Sequence, residues 1–204
     1  MVQERQTGFV PQTLDFDGRT YRYSVFVPDD YTPERAWPAI LFLHGAGERG
    51  DDGASHTTVG LGRAIRAHPE RFECLVVLPQ CPADRRWDGS MQELALATLD
   101  AIQAKYNVDP DRIALTGLSL GGYGTWSIGA RFPERFCALL PICGGGDPAR
   151  AEQLATVPIW CFHGEADPVV DVERSREMVT AVRAAGGWIE YSELPGVTHN
   201  SWDP

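Results

Sequence analysis

The chain has 204 residues, 43% hydrophobic and 23% charged, the balance of a globular protein long enough to bury a substantial core. With 18 basic against 28 acidic residues its formal net charge is −10, which argues against nucleic acid and anionic membrane surfaces as partners. No segment approaches the roughly 20 apolar residues that insert across a bilayer.

The N-terminal stretch MVQERQTGFVPQ contains no apolar signal core. Cys74, Cys81, Cys137, Cys143 and Cys161 are odd in number and form no CxxC pair. They read as buried free thiols in a reducing, cytoplasmic compartment, with secretion left open if a leader has been removed. Neither a repeat nor a linker divides the chain, so residues 1–204 are expected to form one domain.

In chain order, LDFDGRTYRYSVFVP reads as an antiparallel hairpin turning at Asp17-Gly18, with Tyr21, Tyr23, Val25 and Val27 on one face. Apolar runs follow at 39–45, 74–80, 112–119, 137–145 and 157–164, and a last strand is expected over 189–196. The runs do not alternate, which suits strands of a mainly parallel sheet buried on both faces. Helical patterns occupy 91–106, 120–132 and 171–185, the last opened by Asp171 and closed by Gly186-Gly187. Strands alternating with helices predict a doubly wound α/β sheet, with its ligand site at the carboxyl ends of the strands.

LTGLSLGGYGTW, residues 115–126, contains Gly117-Leu118-Ser119-Leu120-Gly121, a G-x-S-x-G pattern between a strand and a helix. Small residues on both sides let the strand and helix approach, so the turn is tight and displays the serine hydroxyl. The same letters also fit a turn whose serine merely caps the helix. A serine becomes a nucleophile only with a base beside it, and in this arrangement the partners follow in the order serine, acid, histidine.

Among the five histidines only His163 and His199 follow Ser119. His163 lies inside an apolar strand end and reads as packed or backbone-bonded. His199, in the loop PGVTHNSW, stands where the base belongs. The acid is sought in FHGEADPVVD, where Asp167 is preferred. Glu165 has no clear role, and Asp171 reads as a helix cap. Asp147, after the preceding strand, is the outside candidate. Two N–H donors for a developing oxyanion are expected from Leu120 and from Ala46 in LHGAGERG, with Gly47 second.

Together LFLHGAGERG, LPQCP, LTGLSLGGYGTW, ICGGG, FHGEADPVV and PGVTHNSW resemble the α/β-hydrolase superfamily. Within it they resemble serine esterases of the phospholipase/carboxylesterase and feruloyl-esterase-like types. The resemblance covers roughly residues 20–204. It implies Ser119 as nucleophile, Asp167 as acid, His199 as base, and Ala46 and Leu120 as oxyanion donors, in agreement with the residue-level reading. Relatives usually continue into a C-terminal helix, whereas this sequence ends soon after His199. The segment 145–156 is too short for an inserted cap domain, so an open site is expected.

Gln80 and Trp87 are candidates for lining the substrate pocket, and Trp202 for shielding His199. Trp126 reads as core. No His/Cys/Asp group has metal-ligand spacing, and HGAGERG lacks the ending of a phosphate loop, so no cofactor is expected. The reading is a hydrolase of small-molecule carboxylic esters. A peptidase or amidase of the same fold, or a non-catalytic binding relative, is the alternative. The oligomeric state is not legible.

Overall fold

The apolar runs become neighbouring strands of one eight-stranded sheet in the computed structural model, which describes residues 6–203. Residues 1–5, where the stretch read for a signal core begins, and Pro204 lie outside the described residues. The strands are β1 (Gly8–Phe16), β2 (Arg19–Val27), β3 (Trp37–Leu43), β4 (Leu75–Pro79), β5 (Val108–Leu118), β6 (Ala138–Ile142), β7 (Ile159–Gly164) and β8 (Ile189–Leu194). Their spatial order is β1-β2-β4-β3-β5-β6-β7-β8. β1–β2 and β2–β4 pair antiparallel, and every pairing from β4 through β8 is parallel.

The hairpin turns at Asp17-Gly18 with φ of 49° and 73°, the left-handed backbone that a two-residue turn demands and that Asp and Gly tolerate. Five helices complete the fold: α1 (Leu61–Ala67), α2 (Ser90–Lys105), α3 (Leu120–Arg131), α4 (Ala151–Leu154) and α5 (Glu173–Ala184). Alternate strand residues feed two cores. Leu41, Leu43, Leu115, Leu139 and Ile159 pack with Leu94, Leu99, Trp126, Leu154 and Val182 of α2–α5. On the other face Phe42, Val76, Leu78 and Leu118 pack with Ile65 of α1.

The expectation of burial on both faces holds for β4, whose five residues are all buried, and fails for β7. Trp160 of β7 is 47% exposed and stacks on Phe162 at 4.9 Å, because no helix among the described residues covers this end of the second face. The cysteine reading also needs correction. Cys81, Cys143 and Cys161 are buried, but Cys74 is half-buried and Cys137 exposed.

Candidate functional site

Ser119 sits in the turn between β5 and α3 with φ 52° and ψ −113°, a region that costs an L-residue about 1–3 kcal/mol and persists only where the surroundings impose it. The flanking glycines impose it. A Cβ on Gly121 would lie 1.9 Å from the Leu43 carbonyl oxygen, and one on Gly117 would lie 2.5 Å from the Gly121 carbonyl oxygen. The Ser119 N–H is tied to the Ile142 carbonyl at 2.9 Å, and its side chain makes no cap bond to the helix. The helix-cap reading of this serine is thereby set aside.

The hydroxyl instead lies 3.0 Å from His199 Nε2, and His199 Nδ1 lies 2.7 Å from Asp167 Oδ2. A carboxylate only accepts, so Nδ1 carries the proton and Nε2 is left with a lone pair for the serine O–H. Asp167 follows β7, and its other oxygen accepts the N–H groups of Val169 and Val170 at 2.8 and 3.0 Å. Burial pushes its carboxyl up, but the His199 hydrogen bond and the two amides outweigh this and hold it below the ordinary value. The aspartate therefore stays charged beside the imidazole.

The loop carrying His199 is fastened to the end of β7. Ala166 N–H donates to Val197 O at 3.0 Å, and Gly196 N–H donates to Glu165 Oε2 at 3.1 Å, which gives Glu165 a role. Arg63 on α1 reaches Asp203 at 2.9 Å. Trp202 meets the His199 ring edge-on, centroids 5.4 Å apart, and covers one side of it. Asp171 accepts the Glu173 N–H at the start of α5, and Asp147 accepts the Ala149 N–H; both are occupied away from His199.

His163, read from the sequence as packed or backbone-bonded, is both, and it also reaches the acid. Its Nε2 is 3.0 Å from Val170 O and 3.2 Å from Asp167 Oδ2. Both are acceptors, so Nε2 bears the proton and Nδ1 accepts from Ser175 Oγ at 2.7 Å. The signal for this contact was the four-residue spacing of His163 and Asp167, which a strand end followed by a tight turn folds back on itself.

Leu120 opens α3 and Ala46 opens a short 3-10 helix over Ala46–Glu48, so the N–H groups of both fall among the unsatisfied donors of a helix start. His44 fixes the second of these loops. Its Nδ1 donates to Gly45 O at 2.6 Å and its Nε2 accepts from Cys81 N–H at 3.0 Å. Burial lowers its pKa to about 4, so the ring is neutral at physiological pH and keeps that tautomer.

Trp87 Nε1 donates to His44 O at 3.0 Å while its ring lines a pocket of about 280 Å³ with Arg86, Leu120, Tyr123, Gly145 and Asp147. The Gln80 amide accepts from Gly53 N–H and donates to Glu48 O and Asp52 Oδ1, so its polar atoms secure the 45–53 loop.

This sheet order, with a strained serine at the tip of the central strand and an acid and a histidine delivered by later loops, defines an α/β-hydrolase. Residues 16–186 match the Esterase family model, and the chain belongs to that family. A solved thermostable esterase superposes with a TM-score of 0.88 at 36% identity, over 95% of this chain and 58% of that one. A ferulic acid esterase structure shares the fold, with a TM-score of 0.77 at 20% identity over 96% of this chain and 93% of that one. The bifunctional acetylxylan esterase/xylanase XynS20E of Neocallimastix patriciarum is 28% identical over 161 residues, 74% of this chain and 22% of its own length. The chain spans about half or less of the length of the first two curated relatives it matches. No helix among the described residues is long and apolar enough to cross a membrane.

Proposed function

We propose that the protein hydrolyses small carboxylic esters through an acyl-enzyme on Ser119. The observation that carries this reading is the continuous hydrogen-bonded chain from Ser119 Oγ through His199 to a charged Asp167. His199 Nε2 takes the serine proton as Oγ attacks the ester carbonyl. The oxyanion rests on the N–H groups of Leu120 and Ala46. His199 then gives the proton to the leaving alcohol. Water, deprotonated by the same nitrogen, attacks the acyl-enzyme and releases the acid. Asp167 holds the imidazole in the Nδ1–H tautomer and stabilises its cationic form.

The substrates we propose are short or aromatic acyl esters. Only a 3-10 turn over Pro148–Arg150 and the four-residue α4 fill the segment where a cap would stand. The pocket beside Leu120 is of modest volume, and Trp87 and Tyr123 give it aromatic walls. Each methylene buried in an enclosed tunnel would add about 0.8 kcal/mol, a gain that an open site does not collect along a long chain. The names of the relatives point to acetyl and feruloyl esters as probes. The test is kcat/KM for 4-nitrophenyl acetate, butyrate, octanoate and palmitate beside methyl ferulate. Efficiency should fall with aliphatic length and persist for ferulate. A preference for palmitate would overturn the substrate reading.

A further inference from the structure

Cys143 directly follows β6 with φ 40°, a left-handed conformation uncommon for a residue with a side chain. It is fully buried, and its N–H is fixed to Phe162 O at 2.8 Å. The thiol, a carboxylate oxygen of Asp167 and an imidazole nitrogen of His199 all lie within 4.8 Å of one another. The Ser201 hydroxyl neighbours the same thiol. That hydroxyl is buried and has no hydrogen-bond partner among the described residues. A sulfur, a nitrogen and a carboxylate oxygen converging on one point, with an unpartnered oxygen beside them, are the donor set of a tetrahedral soft divalent cation.

We infer that Cys143, Asp167 and His199 form a binding site for Zn²⁺ or a like soft cation, and that its occupancy switches the proposed catalytic chain off. The ligand atoms need to move by no more than about 1 Å to reach the separations of a zinc centre, whose bonds are about 2.0–2.3 Å. Binding releases one proton, that of the Cys143 thiol. The Nδ1 proton of His199 shifts to Nε2 as the metal takes Nδ1. Nε2 then donates to Ser119 and can no longer accept its proton. Charge also favours the exchange: one carboxylate becomes a neutral group of dication, thiolate and carboxylate, so no net charge is buried. Burial pushes the thiol up to about 12, and the metal must displace that proton, which keeps the site weaker than a dedicated structural zinc centre. His199, whose side chain is 20% exposed, offers the way in.

The switch rests on the esterase reading, but the binding does not, and the test separates them. Co²⁺ added to the apo protein should give a near-ultraviolet thiolate-to-cobalt absorption band, whether or not the protein turns over any ester. The band should vanish in Cys143→Ser and His199→Gln and survive in Cys137→Ser, which removes the exposed thiol. Zn²⁺ should inhibit ester turnover reversibly, with recovery on adding EDTA. In Cys143→Ser, compared with its own metal-free rate, the inhibition constant should rise about tenfold or more, since the thiolate is the strongest ligand. Absence of the cobalt band in the wild-type protein, its persistence in Cys143→Ser, its loss in Cys137→Ser, or equal zinc sensitivity with and without Cys143 would overturn the inference.

Discussion

His163 Nε2 lies 3.2 Å from Asp167 Oδ2, the same oxygen that receives the His199 Nδ1 proton at 2.7 Å. Asp167 is thus gripped by two histidines and two amides, and the buried one of these histidines never faces the serine. Removing His163 should leave the nucleophile and base in place while loosening the carboxylate that orients the base. His163→Phe should lower kcat by about ten- to a hundredfold with KM little changed, as expected for the loss of a supporting hydrogen bond. His163→Gln, which can still donate from an amide, should recover part of it. Steady-state kinetics on both folded variants checks this, and a KM effect with unchanged kcat would contradict the positioning role.

Asp167→Asn and Asp171→Asn separate the two acids of the same loop. The amide of the first cannot hold the Nδ1–H tautomer, so turnover should fall by about four orders of magnitude. The second loses only a capping charge at the start of α5 and should cost about 1 kcal/mol of stability or less, with turnover retained. Ester assays and thermal melts on the pair distinguish them. An inactive Asp171→Asn would reassign the acid.

Gly121→Ala should be among the most damaging single changes in the chain. The added methyl meets the Leu43 backbone carbonyl at 1.9 Å, and no side chain can yield to relieve it. A loss of about 3 kcal/mol or more is expected from such backbone displacement. Chemical denaturation measures it, and a near-neutral result would mean that β3 and α3 are not as closely apposed as described.

The serine, the last histidine and the acid were legible because each falls at a recognisable punctuation of the chain: a glycine-flanked turn, a loop after the last strand, a turn after the preceding strand. The mainly parallel pairing of the strands followed from unbroken apolar runs, but their spatial order did not. Other features lacked any local signal. α1 is seven residues long, preceded by Gly60 and carrying Gly62 in its first turn, with no side-chain cap. The first half of β1 carries Gly8 and Pro11, both poor strand formers, and its pairing with β2 is what makes it a strand. Gln80 looked like a pocket residue because it follows a strand at its carboxyl end, and its three loop partners lie 27 to 32 positions away. The bare face at Trp160 was hidden for the opposite reason, since an exposed tryptophan and a buried one are the same letter in an apolar run.

Acid should destabilise the fold before carboxylates are protonated. Burial lowers His44 and His56 to about 4, against an ordinary histidine value of 6.5, with Asp52 opposing the shift at both and Gly45 O opposing it at His44. The unfolded chain therefore binds more protons than the folded one between those values, so stability is complete above about pH 6.5 and falls as pH drops toward 4. Each residue contributes up to about 3 kcal/mol to that loss. His56 makes no hydrogen bond through either nitrogen among the described residues, so His56→Leu should keep the neutral-pH melting temperature and flatten the acid slope. Melting temperatures from pH 8 to 4 for both proteins check this, and identical slopes would remove His56 from the account.

The Ser119 hydroxyl is the proposed nucleophile, on which every step of ester turnover depends. The most direct test is turnover of 4-nitrophenyl acetate by Ser119→Ala, with circular dichroism and a thermal melt on the same sample. The hydroxyl makes no cap bond to α3 and bonds the part-buried His199 ring, so the variant should melt within a few degrees of wild type. Its kcat should fall by up to about a millionfold, as when a nucleophile is removed from a triad. A folded Ser119→Ala protein with near wild-type turnover would contradict the account at its root.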